Sequence, residues 1–145
     1  MWMKKSDVLI VGFIVLIYVL YFSNVISSAS VEGVSMYPAF QNGALTFYTS
    51  THNVSIGDII IYKSPTVGAY VIHRVVSVNY YDGEKYYVTQ GVDKISNPKP
   101  DNQIGLEPPY GIPSNLVLGK VDEYHGIIFS IPYLGYISVL LNSII

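Results

Sequence analysis

The chain has 145 residues and no cysteine. That excludes disulfides, thiolate nucleophiles and thiolate metal sites, and leaves oxygen and nitrogen groups to carry any chemistry. Charge is scarce too. Lys and Arg number 8, Asp and Glu number 10, and charged residues make up only 12% of the chain. With a net charge of -2 and no basic run, there is no electrostatic footprint for nucleic acid, which drops out as a partner. Histidine occurs only as His52, His73 and His125, and no two lie close in sequence. The His-Glu-x-x-His spacing is missing, so the reading includes neither a metal site nor a cofactor.

Apolar residues are abundant. They make up 50% of the chain and lift its mean hydropathy to +0.38, high for a soluble domain of one small unit. Residues 8–26 form a run broken by nothing more polar than Tyr, Ser23 and Asn24. At 1.5 Å per residue such a run crosses the roughly 30 Å hydrocarbon layer of a bilayer. Lys4 and Lys5 precede it, so the positive-inside tendency assigns residues 1–7 to the cytoplasm and everything after Ser27 to the outer face. A cleavable signal peptide is the rival reading, with Ser28-Ala29-Ser30 as its small residues. The apolar run is longer than a signal-peptide core, which favours an uncleaved anchor.

After the anchor the pattern changes to short β-branched and aromatic runs between Gly, Pro, Asn and Asp. It predicts strands over 45–49, 58–63, 70–79, 85–90 and 116–122, with Asp82-Gly83 in a hairpin turn. The expected fold is mainly β: a small all-β domain over 31–125, a folded sheet or partial barrel, on an N-terminal transmembrane helix. A loop over 91–113 holds five prolines, and its length marks it as functional. Residues 126–145 are uncharged; either a second span or a segment lying on the membrane fits them. Asn53-Val54-Ser55 matches the glycosylation sequon.

Within the strand pattern, His73 stands out as a polar residue in Tyr70-Val71-Ile72-His73-Arg74-Val75-Val76. A lone strand histidine is commonly a satisfied, partly buried residue. Its neighbours along the chain argue for more. Gly33-x-Ser35-Met36-x-Pro38, a few residues beyond the anchor, resembles the serine box of signal peptidase I. Gly57-Asp58-Ile59-Ile60-Ile61-Tyr62 resembles that family's next box, and the segment around His73-Arg74 resembles the box of the general base, in the archaeal and endoplasmic-reticulum form that uses His rather than Lys. Thr89-Gln90-Gly91 resembles the start of the last box. Four boxes in order, over roughly residues 8 to 122, make a specific match.

The resemblance implies a membrane-bound serine endopeptidase that removes signal peptides, with Ser35 as nucleophile and His73 as general base. An acid should complete the triad. The usual Gly-Asp-Asn is interrupted by Val92, and Asp101 is favoured with Asp93 as the alternative. Gly33 stands where many relatives carry a serine, so the oxyanion would rely on backbone N–H groups, that of Ser35 and a neighbour. Val31, Met36, Val71 and Ile72 are candidates for shallow apolar substrate pockets. The implied partners are preproteins bearing signal peptides, the lipid bilayer and the secretion translocon. The implied location is the cell membrane, with one or two passes and the catalytic domain on the extracytoplasmic face. Two rivals make different demands: a surface-anchored β-domain that binds through its 14 tyrosines without catalysis, and a Ser-Lys processing protease with Lys63 or Lys85 as base.

Overall fold

A computed structural model describes residues 2–23, 25–137 and 140. The chain begins with α1 (Lys5–Phe22), 18 residues long and about 27 Å at 1.5 Å per residue. Asp7 accepts the Lys4 N–H at 3.2 Å and ties down an otherwise open first turn. No residue of α1 is buried, and its apolar side chains face outward all round. It is the one helix among the described residues long and apolar enough to cross a membrane. The helix covers 5–22 rather than 8–26. At its end the Val25 and Ile26 N–H groups turn back to the Leu20 carbonyl, at 3.1 and 3.3 Å.

Among the described residues ten strands follow: β1 (Ser27–Ser30), β2 (Leu45–Thr49), β3 (Ile59–Lys63), β4 (Tyr70–Tyr81), β5 (Glu84–Gln90), β6 (Ile112–Pro113), β7 (Val117–Val121), β8 (Glu123–Tyr124), β9 (Ile127–Ile128) and β10 (Ser130–Ile131). All pairings are antiparallel. The main sheet runs β1-β2-β7-β3-β4-β5-β6, with β10 also on β2, while β8 and β9 form a small hairpin of their own. The chain is thus mainly β, as the β-branched and aromatic runs between turn residues predict. The β4–β5 hairpin turns at Asp82-Gly83, both with positive φ, which matches the right-handed twist of its strands.

β3 organises the interior because both of its faces are covered. Ile59 and Ile61 join Val31, Met36, Phe40, Ala44 and Val121 in one apolar cluster; Ile60 and Tyr62 join Val54, Val75, Tyr87, Ile112 and Val117 in the other. Period-two alternation then decides what shares a face. Ile60 is opposite His73, and Val75 is opposite Thr89. Tyr62, His73 and Thr89 therefore project from the same side of three neighbouring strands.

Of the apolar segment 126–145, residues 127–128 and 130–131 lie in β9 and β10, and Gly135 donates its N–H to the Gly43 carbonyl at 2.9 Å. Residues 138–139 and 141–145, on which a second span would also depend, lie outside the described residues.

Candidate active site

Ser35 sits in the turn after β1, and a loop from the far side of the sheet holds that turn in place. The Asp93 N–H donates to the Ser35 carbonyl at 2.9 Å, and the Asn97 side chain approaches the same oxygen at 3.4 Å. Gly91 allows this approach, since a Cβ there would lie 2.7 Å from the Ser35 carbonyl oxygen and 2.4 Å from Asn97. On the other side, the Gly33 N–H donates to Asn42 Oδ1 at 2.9 Å and Asn42 donates to the Tyr136 hydroxyl at 3.2 Å. Gly33 has φ +90°, a region where a serine would be strained, which accounts for glycine at this position. Its N–H is committed to Asn42. Among the described residues the Ser35 N–H has no acceptor.

Ser35 Oγ lies 3.0 Å from His73 Nε2, and His73 Nδ1 lies 2.5 Å from Asp101 Oδ2. An ionised carboxylate only accepts, so Nδ1 carries the ring hydrogen and Nε2 is left to accept from the serine. His73 and Asp101 are both buried, Asp101 completely. Asp101 opens a short 3₁₀ turn (Asp101–Gln103) whose backbone wraps around it: its carbonyl accepts the N–H groups of Ile104, Leu106 and Glu107. Asp93 lies elsewhere. Its carboxylate caps its own loop, accepting from the Ile95 N–H at 3.2 Å and from the Ser96 N–H and Oγ at 3.2 and 2.6 Å, and these bonds, the Ser96 hydroxyl first, hold its pKa below the usual value.

Three residues that sequence reasoning did not single out complete the polar cluster. Thr89 Oγ1 is 2.6 Å from Asp101 Oδ2 and 2.5 Å from Glu107 Oε1, and the Thr89 N–H donates to Glu107 at 3.1 and 3.3 Å. The Tyr62 hydroxyl is 3.1 Å from Thr89 Oγ1 and 3.4 Å from Asp101 Oδ2. Burial, and next the Glu107 carboxyl, push the Tyr62 hydroxyl far above its ordinary pKa, so it stays a donor. Burial likewise pushes the Glu107 carboxyl up to about 7, against the hydrogen bonds from Thr89. Tyr62 and Thr89 fall in quoted boxes, where a polar residue on an inward strand position is a usable signal. Glu107, in a proline-rich loop, offered none.

A cleft of about 340 Å³ opens beside Ser35 and His73, walled by Ser30, Glu32, Tyr70, Val71, Ile72 and Leu106 among others. Of the four apolar candidates, Val71 and Ile72 line it. Val31 and Met36 do not, because both are buried in the first core cluster, where they fix the serine turn from beneath. Lys63 lies over the Tyr70 ring, and Lys85 donates to the Val54 carbonyl at 3.1 Å, so neither is placed as a base for Ser35. The His52 carbonyl lies 3.5 Å from the Tyr87 hydroxyl, and His125 sits edge-on to Tyr124 in the β8–β9 turn.

A hydroxyl, an imidazole and a buried carboxylate in file, beside an open cleft on a β-sheet, have the geometry of the serine hydrolases. Comparison with known sequences narrows the class. The family described as signal peptidase, peptidase S26, matches residues 4–85, more than half of the chain, and the chain belongs to that family. The matched stretch contains Ser35 and His73 and stops before Asp101. Similar relatives include the signal peptidase complex catalytic subunit sec11 of Neurospora crassa, 28% identical over 112 residues that cover 75% of this chain and 60% of the relative. The corresponding subunit of Schizosaccharomyces pombe is 28% identical over 133 residues, covering 75% and 64%. That of Candida albicans (strain SC5314) is 26% identical over 114 residues, covering 75% and 61%. The chain spans about 60% of the length of the first of these curated relatives.

Proposed function

We propose that this protein is a membrane-anchored serine endopeptidase that removes signal peptides from translocated preproteins. One observation carries the reading: in a chain of the signal peptidase family, Ser35 Oγ, the His73 ring and Asp101 stand in file at 3.0 and 2.5 Å. Ser35 is the nucleophile. As its Oγ bonds to the scissile carbonyl carbon, His73 Nε2 takes the hydroxyl proton, and the imidazolium then gives that proton to the leaving amine nitrogen. Asp101 holds the Nδ1–H tautomer and stabilises the imidazolium. Water, deprotonated by His73, releases the acyl group from Ser35. The Ser35 N–H, without an acceptor of its own, is the oxyanion donor. Val71 and Ile72 on the cleft wall take the small side chains that precede the cut.

α1 anchors the domain in the bilayer with residues 31–125 on the extracytoplasmic face and 1–7 inside, which brings the cleft to the emerging substrate. The relatives' description as subunits of a complex suggests that partner subunits or the translocon work with this chain. A preprotein-cleavage assay in sealed vesicles of known orientation tests all of this. Cutting after a small residue is expected only where the β-domain faces the substrate. Ser35→Ala and His73→Ala should each abolish it, with the double variant no worse than either alone. Activity surviving in His73→Ala refutes the mechanism, and cutting only from the opposite face refutes the topology.

A further inference from the structure

Glu107 is a buried acid for which the mechanism above has no use, and its surroundings assign it one. The Thr89 hydroxyl oxygen makes two short contacts with carboxylate oxygens, 2.6 Å to Asp101 and 2.5 Å to Glu107, yet a hydroxyl carries one proton to donate. Whichever carboxyl receives it, the other contact needs a hydrogen from the carboxyl side, or two lone pairs face each other. One of the two acids is therefore protonated. Asp101 Oδ2 is approached by three donors, His73 Nδ1, Thr89 Oγ1 and the Tyr62 hydroxyl, which is the environment of an anion. Glu107 meets Thr89 in short contact and the Tyr62 hydroxyl as a looser partner, and among the described residues no Lys or Arg pairs with it.

We propose that Glu107 is a positioning residue that holds the outermost proton of a hydrogen-bonded file, Glu107–Thr89–Asp101–His73–Ser35, and through Thr89 keeps Asp101 an anion with a fixed donor. The proton on Glu107 Oε1 is given to Thr89 Oγ1, which gives its own to Asp101 Oδ2; Asp101 then accepts from His73 Nδ1. The groups facing Glu107 are Tyr62 from β3, Thr89 from β5 and Asp101 from the 3₁₀ turn, with His73 of β4 beyond Asp101. Burial keeps that proton in place up to about pH 7. Above it the cluster holds two anions and one Thr89 proton between them. The Thr89 donor to Asp101 is lost or shared, and the alignment of His73 loosens.

The inference rests on the serine-peptidase reading, but its first readout does not need catalysis. In the full chain in detergent micelles, carried as Ser35→Ala and labelled with carboxyl-13C glutamate, one of the four glutamate resonances is expected to titrate near pH 7. The same resonance should be missing in Glu107→Gln. In active protein, kcat/KM is expected to fall roughly tenfold between about pH 7 and 8.5, as for ionisation of one essential group. Glu107→Gln, whose amide nitrogen can donate to Thr89 as the protonated acid does, should lack that fall, and it should restore most of the turnover lost in Glu107→Ala. The proposal is overturned if all four carboxyls titrate near 4 to 5, a result the wild-type fold alone can give. It is also overturned if the pH profiles of wild type and Glu107→Gln superimpose. Cleavage that does not depend on Ser35 overturns instead the reading beneath it and leaves the carboxyl titration standing.

Discussion

Replacing Glu107 by Gln should make the protein more stable at neutral pH and leave it nearly unchanged at pH 4. In the unfolded chain the carboxyl ionises near 4.5, and in the fold near 7. Between those values the folded state keeps a proton that the unfolded state has released, so stability falls as pH rises through this window and levels off above it. The fall is worth roughly 3 kcal/mol, since each pKa unit corresponds to about 1.4 kcal/mol. Gln has no such ionisation and offers a similar shape, an oxygen for the Thr89 N–H and a nitrogen for the Thr89 hydroxyl. The difference between variant and wild type should therefore grow from near zero at pH 4 to roughly 3 kcal/mol by pH 7.5, or about 10 °C in melting temperature for a chain of this size. Thermal unfolding of both full-length proteins in detergent, in half-unit steps of pH, reads it directly. A difference that stays constant across the series refutes the reasoning, because a carboxyl that ionises normally gives no slope.

The assignment of the acid is tested by Asp101→Asn against Asp93→Asn. In Asp101→Asn, an amide nitrogen at the Oδ2 place meets His73 Nδ1 and drives the ring hydrogen to Nε2, facing Ser35; turned the other way, it sits where Oδ1 is buried without a partner. Turnover should fall by about 10⁴-fold with the fold retained, whereas Asp93→Asn, which keeps an acceptor for Ser96, should change rates by roughly threefold or less. A crippled Asp93→Asn beside a near-normal Asp101→Asn reverses the assignment. Gly43→Ala should uncouple the C-terminal segment from the serine turn, since a Cβ at φ +84° would lie 2.1 Å from the Tyr136 ring. The backbone term alone is about 1–2 kcal/mol; a loss no larger than that would show that Tyr136 does not dock there, and a melting temperature equal to wild type would refute the positive φ as well.

Legibility in the sequence followed the length of each apolar run and the turn residues that bound it. β2 occupies the predicted 45–49, and β3, β4, β5 and β7 each end within two residues of their predicted limits, because each is a run of β-branched and aromatic residues bounded by turn residues. The two-residue strands β6, β8, β9 and β10 show no period; partners far along the chain define β6 and β10, as when Ile112 pairs with Tyr87 and Ser130 with Thr46, while β8 and β9 pair with each other. β1 escaped for another reason. Ser27-Ser28-Ala29-Ser30 reads as a spacer after an apolar run, and it becomes a strand only because the open edge of β2 pairs with it.

The site divides in the same way. Ser35 and His73 were visible because each sits in a short segment that resembles a signal peptidase box, Gly33-x-Ser35-Met36-x-Pro38 for the one and His73-Arg74 in an otherwise apolar strand for the other. Asp93 and Asp101 lie in one irregular loop, where no rule of spacing says which carboxylate turns inward. The two differ in what surrounds the backbone. Asp93 is followed by N–H groups and a hydroxyl that its own side chain can reach, so it is satisfied locally. Asp101 follows Pro100 into a 3₁₀ turn that consumes its carbonyl and carries its side chain under the sheet to His73 and Thr89. An acid with no local partner in a buried turn must find one across the fold, and here the available donors come from three strands whose shared face was set by the alternation of β3, β4 and β5. The same argument extends to Glu107: its donors are the Thr89 N–H and hydroxyl of β5 and, more loosely, the Tyr62 hydroxyl of β3, so the strand pattern that presents His73 to Ser35 also binds the second acid to the first.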